Sequence, residues 1–431
     1  MKIYPLPFEI RECWTLGFVL LTCLLYALYA ARDAMRVRYP GFRNPLAIGR
    51  IFFSLFLSVL MASSLSAALE TTPSSVQKGP SLYSRQAILI DLTTGEVLFE
   101  KNADERMPPS SMSKIMTTYL VFEELKAGRL KMTDTFPVSE KAWRKKGSKM
   151  FLKLHSQVSV ADLLRGAIVQ SGNDACITLA EGLAGSEETF ATQMMHAARE
   201  IGLSNSNFVN ATGWPDDNHY ATARDLALIT HKLIEKFPDY YPLYAEREFT
   251  YNAIRQMNRN PLLASFPGAD GLKTGATDAG GFGLIGSALQ GERRLIMVIN
   301  GAESKKKRAI DSKALMQWGF SNFVSSRLYN RDQVIDQADV WLGHKPRVGL
   351  KVARNVNITL PRQDIKNLKV DLVYQGPVAA PVQADQKIGN LIVSMPNKPD
   401  MVIPVVAAES VGRAGFLSKI EAVFSYFFIR S

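Results

Sequence analysis

The sequence predicts an α/β (α+β) domain over residues 83–328, followed by a small all-β domain over residues 329–408. Three observations predict it. Helical periodicity dominates residues 111–236, strand-like runs flank it at 86–102 and 281–300, and the texture changes after Leu328. Beyond that point VGLKVA, VNITLP, LKVDLVYQ and GNLIVSM are short, strand-like and separated by Pro, Gly or Asn. A chain of 431 residues is too long for one ordinary domain. With 47% hydrophobic and 21% charged residues it has globular composition, and its three Cys exclude a disulfide scaffold. The formal net charge is +11, which alone selects no partner.

The elements follow in order. Residues 14–31 are eighteen apolar or small residues without a charge, just long enough for a transmembrane helix. Residues 51–68 form a second apolar run. It follows Arg36, Arg38, Arg43 and Arg50 and ends in Ser66-Ala67-Ala68, the layout of a secretory signal peptide. Met35 precedes the basic stretch, so residues 35–68 read as the signal peptide and 1–34 as an over-extension of the reading frame. The rival reading of 1–34 is an extra membrane helix. Cys13 and Cys23 fall in this leader, which leaves Cys176 as the sole mature cysteine and rules out an internal disulfide. Export without disulfides is compatible with a bacterial periplasm.

Residues 69–82 are a polar linker with Pro and Gly. AILIDL and EVLFEKN, joined by Thr93-Thr94-Gly95, read as a hairpin within residues 86–102. The helical stretch is broken by loops at 145–149 and 210–219. Strands return at 281–289 and 294–300, and SKALMQWGFSNF at 312–323 reads as a helix. The run Lys305-Lys306-Lys307-Arg308 reads as a solvated surface and not a nucleic-acid site, because a signal peptide excludes the cytoplasm.

Three short motifs carry chemistry. Ser111-Met112-Ser113-Lys114 opens a helical run, and three residues make nearly one turn, so Ser111 and Lys114 share a face. A serine hydroxyl needs a base, and a lysine can serve once burial or another cation lowers its pKa. Ser171-Gly172-Asn173 can offer a hydroxyl and an amide to a cleft. Lys273-Thr274-Gly275 on a strand, followed by Ala276, can present a cation and a hydroxyl while the glycine lets substrate approach the backbone. Each motif alone is common. In this order the three match the signature of penicillin-binding proteins and class A β-lactamases. No G-x-S-x-G, H-E-x-x-H or Walker loop is present, and the five His lack ligand spacing, so neither metal nor cofactor is expected.

Over residues 82–431 the chain resembles serine-type D-Ala-D-Ala carboxypeptidases, low-molecular-mass penicillin-binding proteins of the penicillin-binding protein 5/6 type. The stretches GSKMFLK, QSGNDACITLAE, QMNRNPLL and DGLKTGATDAGG carry the likeness beyond the three motifs. The resemblance implies a penicilloyl-serine-transferase, or β-lactamase-like, catalytic domain with the β-domain behind it. It implies Ser111 as nucleophile, Lys114 as general base and Ser171 as proton relay. Asn173 would bind the substrate amide, Lys273 would set the pocket's electrostatics and Thr274 would hold the terminal carboxylate. Backbone N–H groups of Ser111 and Ala276 would form an oxyanion hole beside Gly275. Lys273 would help depress the pKa of Lys114, with Arg259 a supporting residue near Lys273. The implied partners are peptidoglycan stem peptides ending in D-Ala-D-Ala, with β-lactams as covalent inhibitors.

The chain departs from the pattern at Ala276, where several relatives carry His, and at residues 300–303, where some relatives carry an Arg after Gly-Gly. Arg308 is the candidate for the compensating cation, without further support. Leu154-His155 stands where Pro-Gly is common. A β-lactamase is the rival enzyme, but an E-x-x-L-N motif is absent between Ser171 and Lys273. A D,D-endopeptidase shares all three motifs, and a weakly catalytic structural protein is the third class. Finally, Phe416, Leu417, Ile420, Val423, Phe424, Phe427 and Phe428 fall on one helical face within residues 409–431. That predicts an amphipathic helix lying in a membrane interface, with packing on the chain's own β-domain the alternative, and the resemblance implies an anchor on the outer face of the inner membrane.

Overall fold

The computed structural model describes residues 79–415. The leader, most of the linker and the amphipathic segment from 416 onward lie outside the described residues.

The first half is organised around one antiparallel sheet. β1 (Gln86–Asp91) and β2 (Val97–Lys101) form the expected hairpin. Next come α1 (Lys114–Lys126), β3 (Thr135–Pro137), α2 (Glu140–Arg144), β4 (Gln157–Ser159), α3 (Val160–Ile168), α4 (Asn173–Ala184), α5 (Glu187–Ile201) and α6 (Ala223–Lys236). β5 (Glu248–Tyr251) and β6 (Ile254–Met257) pair as a hairpin, and α7 (Leu262–Ser265) follows. β7 (Ala269–Thr277), β8 (Gly281–Gln290) and β9 (Arg293–Ala302) complete the sheet in the order β2-β1-β9-β8-β7, and α8 (Lys305–Asn322) closes this half.

The sheet is buried on both faces, which is why its strands read as near-continuous apolar runs. Ile88, Ile285, Ile296 and Val298 face the large helical core with Ile115, Phe122 and Leu226. Ala87, Leu89, Leu284, Met297 and Ile299 alternate onto the opposite face, where Leu315 and Met316 of α8 cover them. Hydroxyl caps fix the helix starts: Ser139, Ser159, Ser186, Thr222 and Ser304 each accept a backbone N–H from the first turn.

Three readings need correction. The stretch 111–236 is not purely helical, since β3 and β4 pair within it. Each strand is three residues long, too short to give a period. The final helix starts at Lys305 and not at 312, because Ser304 caps it while its first turn is polar. The hairpin β5–β6 escaped notice because Asn252 and Ala253 make its turn, with φ of 48° and 61°, in place of the usual Asn-Gly.

β-structure begins again at β10 (Phe323–Tyr329). It is followed by β11 (Val334–Trp341), β12 (Arg347–Val352), β13 (Val356–Pro361), β14 (Lys369–Tyr374), β15 (Val378–Ala379), β16 (Lys387–Ser394) and β17 (Met401–Ala407). β10 pairs with β13, and the others form a sheet in the order β14-β16-β17-β12-β11-β15. Its core is Val, Leu, Ile and Ala, including Val348, Leu350, Val393 and Ile403. Among the described residues no helix is long and apolar enough to cross a membrane.

Candidate active site

The first motif folds as a 3-10 turn, Ser110–Ser113, running directly into α1. Two glycines let other chain segments close on this turn. Gly275 of β7 lies where a Cβ would come within 2.9 Å of the Pro109 carbonyl oxygen. Gly213, at φ +73°, lies where a Cβ would fall 1.8 Å from the Ser110 carbonyl oxygen. Ser110 and Thr277 join hydroxyls at 3.0 Å, so β7 is pinned against the turn.

Lys114 is 1% exposed. Its Nζ lies 2.8 Å from Ser111 Oγ, 2.8 Å from Asn173 Oδ1 and 2.6 Å from the Thr212 carbonyl oxygen. Three acceptors saturate an ammonium group. Burial lowers the Lys114 pKa to about 8; Arg259 and Lys145 push it down, while Cys176 and Asp174 oppose them. A buried lysine whose pKa is lowered to about 8, touching a serine hydroxyl, can take that hydroxyl's proton.

Ser171 stands at φ +59° just before α4, buried, and its Oγ accepts from Lys273 Nζ at 2.8 Å. Burial holds the Lys273 pKa well below that of an ordinary lysine, with the Lys114 charge the next cause, and Arg259 and Arg308 adding to it. The Lys114 and Lys273 charges repel one another, which disfavours the state in which both are protonated.

The supporting shell spans distant segments. The Asp174 carboxylate accepts the N–H groups of Met150 and Leu152, tying the 145–152 segment to α4. Asn173 Nδ2 donates to the Lys146 carbonyl at 2.9 Å. Arg259 donates to Ser148 Oγ at 2.6 Å, and Asn260 bonds the Gly271 carbonyl at 2.7 Å, which fixes the 258–260 loop to β7. Arg308 corrects the reading of residues 305–308 as a solvated run: Lys305 and Lys306 are exposed, but Arg308 is buried. Its Nη2 donates to the Arg259 carbonyl at 3.3 Å, and burial with Arg259 nearby lowers its pKa to about 10. The Arg308 Nε is buried without a partner. Among the described residues none of Arg259, Lys273 and Arg308 has an ion-pair partner, so the pocket can accept an anion.

All predicted site residues are thus brought together: Ser111, Lys114, Ser171, Asn173, Arg259, Lys273, Thr274, Gly275 and Ala276. Thr274 is buried and Ala276 exposed. Cys176 is fully buried in α4, and burial pushes its thiol up to about 11. Thr212, Gly213 and His219 were missed. His219 is buried, and its Nε2 lies 2.7 Å from Ser113 Oγ. His155 adopts φ +61°, a position where glycine is the easy choice.

A serine hydroxyl against a buried lysine, backed by a second serine–lysine pair on an α/β scaffold, defines a serine acyl-transfer enzyme. Comparison with known proteins narrows the class. Residues 72–304 match the D-alanyl-D-alanine carboxypeptidase family model, and 323–413 match the penicillin-binding protein 5 C-terminal domain. The chain is 39% identical over 391 residues to the D-alanyl-D-alanine carboxypeptidase DacC of Escherichia coli strain K12, covering 89% of this chain and 95% of that one. Crystal structures of penicillin binding protein 5 from Haemophilus influenzae superpose with a TM-score of 0.69 at 36% identity, over 78% of this chain and 99% of that one. Penicillin-binding protein D2 from Listeria monocytogenes, solved in an ampicillin-bound form, matches at TM-score 0.53 and 32% identity, over 57% of this chain and 100% of that one. The chain belongs to the D-alanyl-D-alanine carboxypeptidase family of serine peptidases.

Proposed function

We propose that the chain removes the terminal D-Ala from peptidoglycan stem peptides through an acyl-enzyme on Ser111. The observation that carries the mechanism is the 2.8 Å contact between the buried Lys114 Nζ and Ser111 Oγ. Lys114, as the free amine, takes the Ser111 proton while Oγ attacks the carbonyl of the penultimate D-Ala. The oxyanion is met by the N–H groups of Ser111 and Ala276. Collapse breaks the peptide bond, and the leaving amine receives a proton through Ser171, whose hydroxyl is held by Lys273. The terminal carboxylate pairs with Thr274 and the unpaired cations Lys273, Arg259 and Arg308. Water then attacks the ester, Lys114 acting again as base, and frees Ser111.

β-Lactams react at the same serine because their strained amide presents the same carbonyl and carboxylate. The buried Arg308 supports its assignment as the compensating cation. Residues 329–408 form a separate β-domain in this reading. The enzyme works in the periplasm as a cell-wall and cell-shape enzyme. Residues 35–68 direct export, and the helix within 409–431 holds the enzyme on the outer face of the inner membrane. Burying four Phe and three aliphatic side chains in the interface supports such anchoring, at roughly 1.5–3 kcal/mol for each one fully buried. The test is release of D-Ala from a pentapeptide by residues 69–431, with penicillin bound covalently to Ser111. Penicillin labelling that survived in Ser111→Ala would overturn the assignment.

A further inference from the structure

Trp214 is anomalous for its position. It is 39% exposed at the rim of the site, yet its backbone is rigidly held. Its N–H donates to Asn210 Oδ1 at 3.0 Å and to Thr212 Oγ1 at 3.1 Å, and its carbonyl accepts from Asn210 Nδ2 at 3.0 Å. It directly follows Gly213, which presses on the Ser110 carbonyl, and Thr212, whose carbonyl accepts from Lys114. On its other side the ring approaches Gly147, where a Cβ would lie 3.1 Å from Trp214 and 2.8 Å from Asn173 Nδ2. The indole therefore stands close to Asn173, and its backbone directly follows the glycine that packs on the Ser110–Ser111 peptide.

Lys145 Nζ lies 4.5 Å from the centre of that ring. Among the described residues Lys145 has no ion-pair partner. Residues 145–149 carry Lys145, Lys146 and Lys149 and no acid. Asp216, close along the chain, is occupied within its own turn, accepting the Asn218 N–H at 2.8 Å. The rim thus offers a flat apolar face next to an unpaired cation. The ring and Lys145 lie together beside Asn173, and that placement, not exposure alone, makes them a contact surface for substrate.

The position fixes what would contact it. Lys273 and Thr274 stand on β7 and take the terminal carboxylate. A substrate passing Ser111 leaves along Asn173, the side on which Trp214 stands. We infer that Trp214 and Lys145 form a subsite for the part of the stem peptide upstream of the D-Ala pair: the indole packs on its backbone and Lys145 pairs with a free carboxylate carried there. This rests on the carboxypeptidase reading of the site and adds specificity-determining residues to it.

The experiment compares two substrates on the exported, processed enzyme. One is a short N-acetylated peptide ending in D-Ala-D-Ala with no upstream carboxylate. The other is a pentapeptide stem bearing the free α-carboxylate of its γ-linked D-glutamyl residue. Trp214→Ala should lower kcat/KM for the pentapeptide about tenfold more than for the short peptide, and Trp214→Phe should recover most of the difference. Lys145→Gln should raise KM for the pentapeptide about fivefold, and the effect should vanish when that carboxylate is amidated. Equal losses on both substrates, or a Lys145→Gln loss that persists with the amidated stem, would overturn the subsite. Failure of the unaltered enzyme to release D-Ala from either substrate would instead overturn the carboxypeptidase reading.

Discussion

The two halves of the molecule bury different things. In the region up to α8 the interior holds Lys114, Lys273, Arg308, Ser171 and Asn173 alongside its Met, Phe and Tyr side chains. Beyond Phe323, which packs with Leu315 and Met316 of the first half, the core is Val, Leu, Ile and Ala, and Thr359 is the single buried polar residue among those described. Even Thr359 faces the other half: its hydroxyl lies 2.7 Å from that of Thr94. Burying a charge without a counter-ion is expensive, so a region that retains two lysines and an arginine inside is organised around a ligand. The β-rich half carries no such cost and offers no such chemistry, which suits a support.

This contrast is broken most directly at Lys114. Lys114→Ala should lower the penicillin acylation rate by about a thousandfold or more in protein that circular dichroism shows to be folded, while emptying so large a buried site also costs stability. In the unaltered enzyme the acylation rate should climb with pH toward a plateau above about 8, since Lys114 must lose its proton to act. A pH-independent rate between 6 and 9 would remove Lys114 as the base. The mirror experiment is Leu350→Ala, at a fully buried position of the β-core. It should cost about 2–5 kcal/mol in denaturant unfolding of the β-domain. Values of kcat/KM should stay as in the parent at temperatures where both halves are folded. Lost activity there would mean that the support also shapes the site.

A smaller effect is expected at His219, where a buried titratable group lies within reach of the site. The Val209 N–H points at its Nδ1, 3.2 Å away, so the ring carries its proton on Nε2 and donates to Ser113. Burial lowers its pKa from 6.5 to about 4, with Asp216 opposing and Lys114 reinforcing. Folded-state pKa below unfolded means that the unfolded chain binds the proton first. Stability is therefore full above about pH 6.5 and declines as pH falls toward about 4, by on the order of 3 kcal/mol. His219→Gln should flatten this decline in melting curves recorded between pH 4 and 7. An unchanged slope would place the acid sensitivity elsewhere.

How much of this was legible depended on where each signal resides. Ser111 and Lys114 are three residues apart on one turn, so their meeting is local and readable. Thr212 acts through a backbone carbonyl, which leaves no mark on residue type, and only the fold of the 204–222 loop brings it to Lys114. Arg308 sits in a run of basic residues, and only the packing of α8 beside the sheet turns that one side chain inward. The β-domain was visible as texture, because strands such as β12 alternate buried with more exposed residues between Pro, Gly and Asn breaks. Its pairing order was not, since β14, β16 and β17 are joined by contacts that no local pattern encodes.

The smallest expected effect tests whether the two halves are independent. They meet at a polar joint: Lys398 reaches Glu96 at 2.8 Å and also donates to the Thr359 carbonyl at 3.1 Å, next to the Thr94–Thr359 hydroxyl pair. Asp91, fully buried, binds Arg293 of its own half at 2.8 Å and Ser325 of the other. The Lys398 and Glu96 side chains are 26% and 39% exposed, so water screens their attraction. Lys398→Ala should therefore cost under about 1 kcal/mol and leave two separable unfolding transitions, if the halves fold as independent units. A loss above about 2 kcal/mol, or a merging of the transitions in the parent that the substitution splits, would mean the joint is a rigid interface. Asp91, and not the exposed pair, would then be the residue through which the β-domain holds the catalytic half.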